Sequence, residues 1–120
     1  MHIDALGPQG EYRTRNREVL PGAAGEAVTE LSIVPPLYVS RTLAAQRKAR
    51  PLPVTQREAA LAGAARVFAT ATIAGLDFEG YVAAASRISG LPIAVTRAGA
   101  RGVADAVGGA FAAVRPARPV

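Results

Sequence analysis

Three arginines, Arg13, Arg15 and Arg17, alternate through the stretch Glu11 to Val19. In extended backbone, residues two apart share a face. The spacing therefore places three guanidinium groups on one side of a strand, with Tyr12, Thr14 and Asn16 on the other. Guanidinium is planar, always charged and forked, which suits phosphate, carboxylate or RNA backbone. Arg13, Arg15 and Arg17 are thus the possible anion contact of this chain. A second reading competes and ranks ahead of it: charge along an edge strand guards that edge against pairing with other chains. Aromatic residues that would stack bases are not interleaved with the arginines, apart from Tyr12 on the opposite face. Lys and Arg outnumber Asp and Glu by 14 to 9, a net charge of +5. That excess permits anionic partners, but nucleic-acid binding still ranks last among the readings.

Other reactive chemistry is sparse. His2 is the single histidine and falls on a segment read as a loose arm, which disfavours a His general base or metal site. There is no Cys, so the chain has no disulfide, no thiolate nucleophile and no Cys-based metal site. Ser32, Ser40, Ser86 and Ser89 have no base in any motif. Asp77 and Glu58 are read as helix caps, and Glu26 and Glu30 as solvated strand residues. Gly99, Gly102, Gly108 and Gly109 sit within a helix rather than between a strand and a helix, so they form no dinucleotide fingerprint, and no Walker-type loop is present. The expectation is no catalytic, cofactor-binding or metal-ligating residue in this chain.

The elements that position these residues follow from periodicity. The chain is half hydrophobic but only 5% aromatic, so its core must come from Ala, Val, Leu and Ile. Residues 1–10, which end in Gly7-Pro8 and Gly10, are expected as a flexible arm. Alternation over 11–19 and 26–34 around Leu20-Pro21-Gly22-Ala23-Ala24-Gly25 predicts an antiparallel hairpin across 11–34. Pro35-Pro36 then switches the pattern to helical spacing. A helix from about Leu37 to Ala49 ends in Arg47, Lys48 and Arg50, cations placed at the negative end of its dipole. After Pro51-Leu52-Pro53, residues 54–73 form the central helix, with Thr55 and Glu58 spaced as a capping box and Leu61, Ala65 and Phe68 as an apolar stripe. Asp77 caps a third helix, Phe78 to Ser89, and Gly90-Leu91-Pro92 stops it. The last helix runs to about Val114, with Ile93, Thr96, Ala100, Val103 and Val107 at packing intervals. The predicted fold class is α+β, mostly helical: an N-terminal antiparallel β-hairpin followed by four helices over residues 35–114, with 115–120 as a tail, in one incomplete domain. The core is expected where Leu61, Ala65 and Phe68 meet Leu43, Tyr81, Val82, Ala85, Ile88, Val103 and Val107.

This order of parts resembles the N-terminal segment of the aldehyde dehydrogenase superfamily. The residues that carry the likeness are Asn16-Arg17 ahead of the turn Pro21-Gly22-Ala23-Ala24-Gly25-Glu26, then Leu52-Pro53 with Gln56-Arg57, and then Ser89-Gly90-Leu91-Pro92. The Pro35-Pro36 pair and the Ser-Gly-Leu-Pro form depart from the common pattern and point to an outlying branch similar to acyl-CoA reductases. The resemblance covers about Glu11 to Val114. It implies a piece of an NAD(P)-dependent aldehyde or acyl-CoA oxidoreductase, with NAD or NADP the cofactor of a full-length relative. The family's catalytic Cys, general-base Glu and nucleotide-binding glycines have no matching positions here, so the resemblance implies a part that is non-catalytic alone.

The alternative is a small helical module for protein–protein interaction. Expected partners are a second copy of the chain or a catalytic, nucleotide-binding region. The first ten residues carry an acid and no apolar run, so they are not read as a signal peptide. No segment approaches the uninterrupted apolar run of about 20 residues that a membrane helix needs. A cytoplasmic location is expected.

Overall fold

The computed structural model describes residues 1–117. It is α+β and mostly helical, as the periodicity predicts, and divides into two compact units, Met1–Pro51 and Leu52–Val120.

The first unit holds all five strands and one helix. Strands β1 (His2–Ile3), β4 (Arg17–Pro21) and β5 (Ala27–Ser32) form one sheet in the order β1-β5-β4, while β2 (Ala5–Gly7) and β3 (Gly10–Tyr12) form a separate two-stranded ladder. The expected antiparallel hairpin is β4 with β5, in the register Val19↔Glu30 and Leu20↔Thr29. Its Pro/Gly turn is closed by the Gly25 N–H donating to the Gly22 carbonyl at 2.9 Å, with Gly25 at φ +88°. That is a left-handed position which a side chain occupies at a cost.

Two expectations are corrected in this unit. Residues 1–10 are not a loose arm. Thr29, only 3% exposed, donates its hydroxyl to the Met1 carbonyl at 3.0 Å, and the Glu30 N–H donates to the same oxygen at 3.0 Å. These bonds lay β1 parallel to β5, and the next residues turn back through Pro8-Gln9 so that Ala5 faces Tyr12. The strand expected over 11–19 is accordingly cut. Its first part pairs backward with β2, and the Asn16 carbonyl accepts from the Ile33 N–H at 2.9 Å at the end of β5. Helix α1 (Pro36–Lys48) starts behind Pro35 and ends with Arg47 and Lys48 in its last turn, as expected.

The second unit is helical: α2 (Val54–Thr70), α3 (Phe78–Ser89), α4 (Ile93–Gly108), α5 (Ala110–Val114) and a 3-10 turn at Arg115–Ala117. Asp77 caps α3 through Oδ1, which accepts from the Gly80 N–H at 2.8 Å, and Gly90 ends it at φ 71°. Both were legible from residue type. The Thr55–Glu58 capping box does not form. Pro53 is the N-cap of α2, two residues before Thr55, so Thr55 lies inside the first turn. Glu58 instead accepts from Arg115 Nη2 at 2.7 Å. The last expected helix is interrupted where Gly108 and Gly109 meet. Gly109 sits at φ −93°, ψ 2°, and α5 continues beyond it. Of the tail expected over 115–120, residues 118–120 lie outside the described residues.

The core of this unit is small. Val82 is fully buried and Ala100 is 6% exposed. Phe68 meets Phe78 and Tyr81 edge-to-face, with centroids 5.8 and 5.2 Å apart. Ala65, Phe68, Ala85, Ile88 and Val107 are half-buried. Leu61, Tyr81 and Val103 are exposed, against the expected core, and Leu43 lies on α1 in the first unit, also exposed. The reason is side-chain size. At the seam of α2 with α4 small residues meet: a Cβ on Gly108 would stand 3.3 Å from the Ala65 Cβ.

Candidate functional site

The three arginines do not form a row. Arg13 and Arg15 lie in the connection between β3 and β4, and only Arg17 is in a strand. Arg13 Nε donates to Asp4 Oδ2 at 2.8 Å. The other oxygen of Asp4 accepts from the Ser32 hydroxyl at 2.7 Å, and Ser32 Oγ accepts from the Thr14 N–H at 3.2 Å. The Asp4 side chain is 10% exposed. The Ser32 hydroxyl and then the Arg13 guanidinium hold its carboxyl below the ordinary value of 3.8, and Asp4 in turn raises Arg13. The carboxylate and its donors are thus mutually satisfied.

Arg17 is engaged separately. Its Nη1 lies 3.3 Å from Glu30 Oε2 and 3.1 Å from His2 Nδ1, and its Nε donates to the Thr14 carbonyl at 3.3 Å. His2 Nδ1 also stands 3.0 Å from the same Glu30 oxygen. A ring nitrogen cannot do both at once: as N–H it donates to Glu30, and with its lone pair free it accepts from Arg17. Arg15 makes no hydrogen bond or ion pair with another described residue. It borders an open cavity of about 590 Å³ walled by Ile33, Val34, Pro35 and Pro36. An anion arriving here would meet one free guanidinium, not three. Sequence reasoning missed Asp4 because its partner, Arg13, is nine residues away across a turn.

A second cavity in the first unit, of about 390 Å³, opens between the Pro8-Gln9 turn and α1. Tyr12 and Tyr38 form its aromatic wall, stacked with centroids 4.2 Å apart and planes at 22°. Glu11, Arg41, Thr42 and Ala45 complete it. Tyr38, Arg41, Thr42 and Ala45 stand at helical spacing, so their shared face was readable. That Tyr12 would meet it was not, because the β2–β3 hairpin has no alternating pattern.

No group of three His, Cys, Asp or Glu side chains that could hold a metal ion occurs among the described residues. No helix among them is long and apolar enough to cross a membrane. No protein-family model, curated protein or solved structure matches this chain.

Proposed function

We propose that this chain is a non-catalytic packing module that covers an apolar surface of a second protein region. The observation that carries the reading is the outer face of α4. Val95 and Val103 are 53% and 56% exposed. Between and beside them Gly99, Gly102 and Ala106 are exposed too, and a Cβ added at Gly99 or Gly102 would meet nothing within 4 Å. The opposite face of the same helix is occupied by Ala100, Ala104 and Val107. An amphipathic helix needs one apolar face, whereas α4 has two, and the second is open. Glycines along it let another backbone come close.

The partner follows from the sequence resemblance: the nucleotide-binding, catalytic region of an aldehyde dehydrogenase-like oxidoreductase, in the cytoplasm. Catalysis would reside there, since this chain has no Cys to form a thiohemiacetal and no strand-to-helix glycine turn for a pyrophosphate. Light scattering across a concentration series tests the apolar face. The isolated chain self-associates, and Val95→Glu with Val103→Glu returns it to a monomer of unchanged helicity. A wild-type chain that stays monomeric throughout would overturn the packing reading. Calorimetric titration with NAD and NADP tests the other half, and micromolar binding would refute a non-catalytic part.

A further inference from the structure

We propose that the outward strip of α1 docks a helix of a partner protein, one that begins in acidic residues and lies antiparallel to α1. The strip follows from how α1 is seated. Tyr38 stacks on Tyr12 with centroids 4.2 Å apart, and a Cβ added at Gly7 would meet both Tyr38 and Thr42. Tyr38 and Thr42, one turn apart, are the half-buried residues of α1, and every other residue of the helix is exposed. At 3.6 residues per turn, the side opposite them carries Leu37, Ser40, Leu43, Ala44, Arg47 and Lys48. Steps of three and four residues are those by which one helix lies along another. Leu37 is 59% exposed and Leu43 48%, so the apolar part of the strip is uncovered.

Charge identifies the occupant. The strip is aliphatic in its first half and cationic at its end, and Arg50 follows just beyond α1. Residues 31–57 hold five cations, Arg41, Arg47, Lys48, Arg50 and Arg57, and no acid. Arg47, Lys48 and Arg50 make no hydrogen bond or ion pair with another described residue. The dipole of α1 accounts for only part of this cluster: a helix C-terminus carries about half a negative charge, against three positive ones. A helix running the opposite way brings its first turn to this end, where its own dipole is positive and favours Asp and Glu. Its apolar residues then lie over Leu37 and Leu43. A nucleic-acid backbone would meet the cations but leave both leucines against a polar surface, and a bilayer would receive only two leucines from the strip.

The test uses the full chain and two labelled peptides, read by fluorescence anisotropy. One peptide has three glutamates in its first turn, followed by leucines at helical spacing. The other is the same sequence reversed, with the glutamates last. The acid-first peptide should bind saturably with Kd near about 100 µM, about fivefold tighter than the acid-last one. Arg47→Gln with Lys48→Gln should equalise the two, and salt at about 0.5 M should do the same to the unaltered chain. Leu37→Ser with Leu43→Ser should weaken both peptides about tenfold, with far-UV circular dichroism unchanged. Val95→Glu with Val103→Glu should leave both affinities as they are, which separates this strip from the α4 face. No saturation by about 1 mM, or equal affinity of the two peptides for the unaltered chain, would overturn the proposal. So would a preference that survives both the charge variant and salt, binding unmoved by the leucine variant, or binding lost in the α4 variant. Binding of duplex DNA or phosphatidylglycerol vesicles that the acid-first peptide fails to displace would overturn it as well.

Discussion

Asp4 joins three stretches of chain with one carboxylate. Its oxygens take hydrogen bonds from Ser32 on β5 and from Arg13 in the β3–β4 connection, and it sits between β1 and β2 itself. Because its folded pKa is depressed below 3.8, it adds stability that is fully present above the unfolded value and lost as pH falls through the folded one. Acid titration should therefore loosen β1 below about pH 4, read from the amide resonances of His2 and Ile3. Asp4→Asn should remove that acid limb and lower stability at neutral pH. A second residue stores strain. Ala74 at φ 51° and Gly75 at φ 81° form the tight turn closed by the Ile73 and Leu76 backbone bonds. A non-glycine residue pays for a left-handed position by roughly 1–2 kcal/mol, and glycine's greater unfolded-state freedom offsets part of that. Ala74→Gly should therefore raise stability by about 0.5–1 kcal/mol in urea denaturation. Ala74→Val should lower it.

At the scale of elements, the glycines of α4 separate into two kinds. A Cβ at Gly99 meets open space, whereas one at Gly108 meets Ala65 of α2 at 3.3 Å. Gly99→Ala should stabilise the chain by up to about 1 kcal/mol through helix propensity. Gly108→Ala, at the helix end where propensity counts least, should destabilise it by pushing α2 away. Opposite signs in paired melts are the expected outcome, and equal signs would count against the seam. Phe68→Ala removes a half-buried ring with two edge-to-face partners and should cost about 3 kcal/mol. What the sequence made legible here was punctuation that works locally. Pro35-Pro36, Asp77 and Gly90 act on their immediate neighbours, and each does what its side chain dictates. What was not legible depends on distant partners. Pro53 displaced the Thr55 cap, Asp4 drew Arg13 out of the arginine row, and β1 and β2 are too short to show any period. The candidate cleft lay half within reach, since its α1 face follows helical spacing while its Tyr12 wall depends on a hairpin without a pattern.

The molecule as a whole is two units, each with very little fully buried apolar surface. Among the described residues the buried hydrophobic side chains are Val82 and Ala100, both in the second unit. Heat-capacity change and denaturant slope both scale with apolar and total surface exposed on unfolding. Calorimetry should therefore give a heat-capacity increment below the usual value of about 12–15 cal/mol/K per residue, with a broad transition. A covering partner should sharpen that transition and raise its midpoint. The sheet of the first unit also dictates an order of events. Its central strand is β5, and β1 pairs with it from far back in the chain, the Thr29 hydroxyl bonding to the Met1 carbonyl 28 residues earlier. Closing so long a loop is slow compared with forming the local β4–β5 hairpin. During synthesis the first residues emerge early but have nothing to pair with until β5 exists. Strand β1 is thus seated after the β4–β5 hairpin, and until then one edge of β5 stays open to any strand that reaches it first.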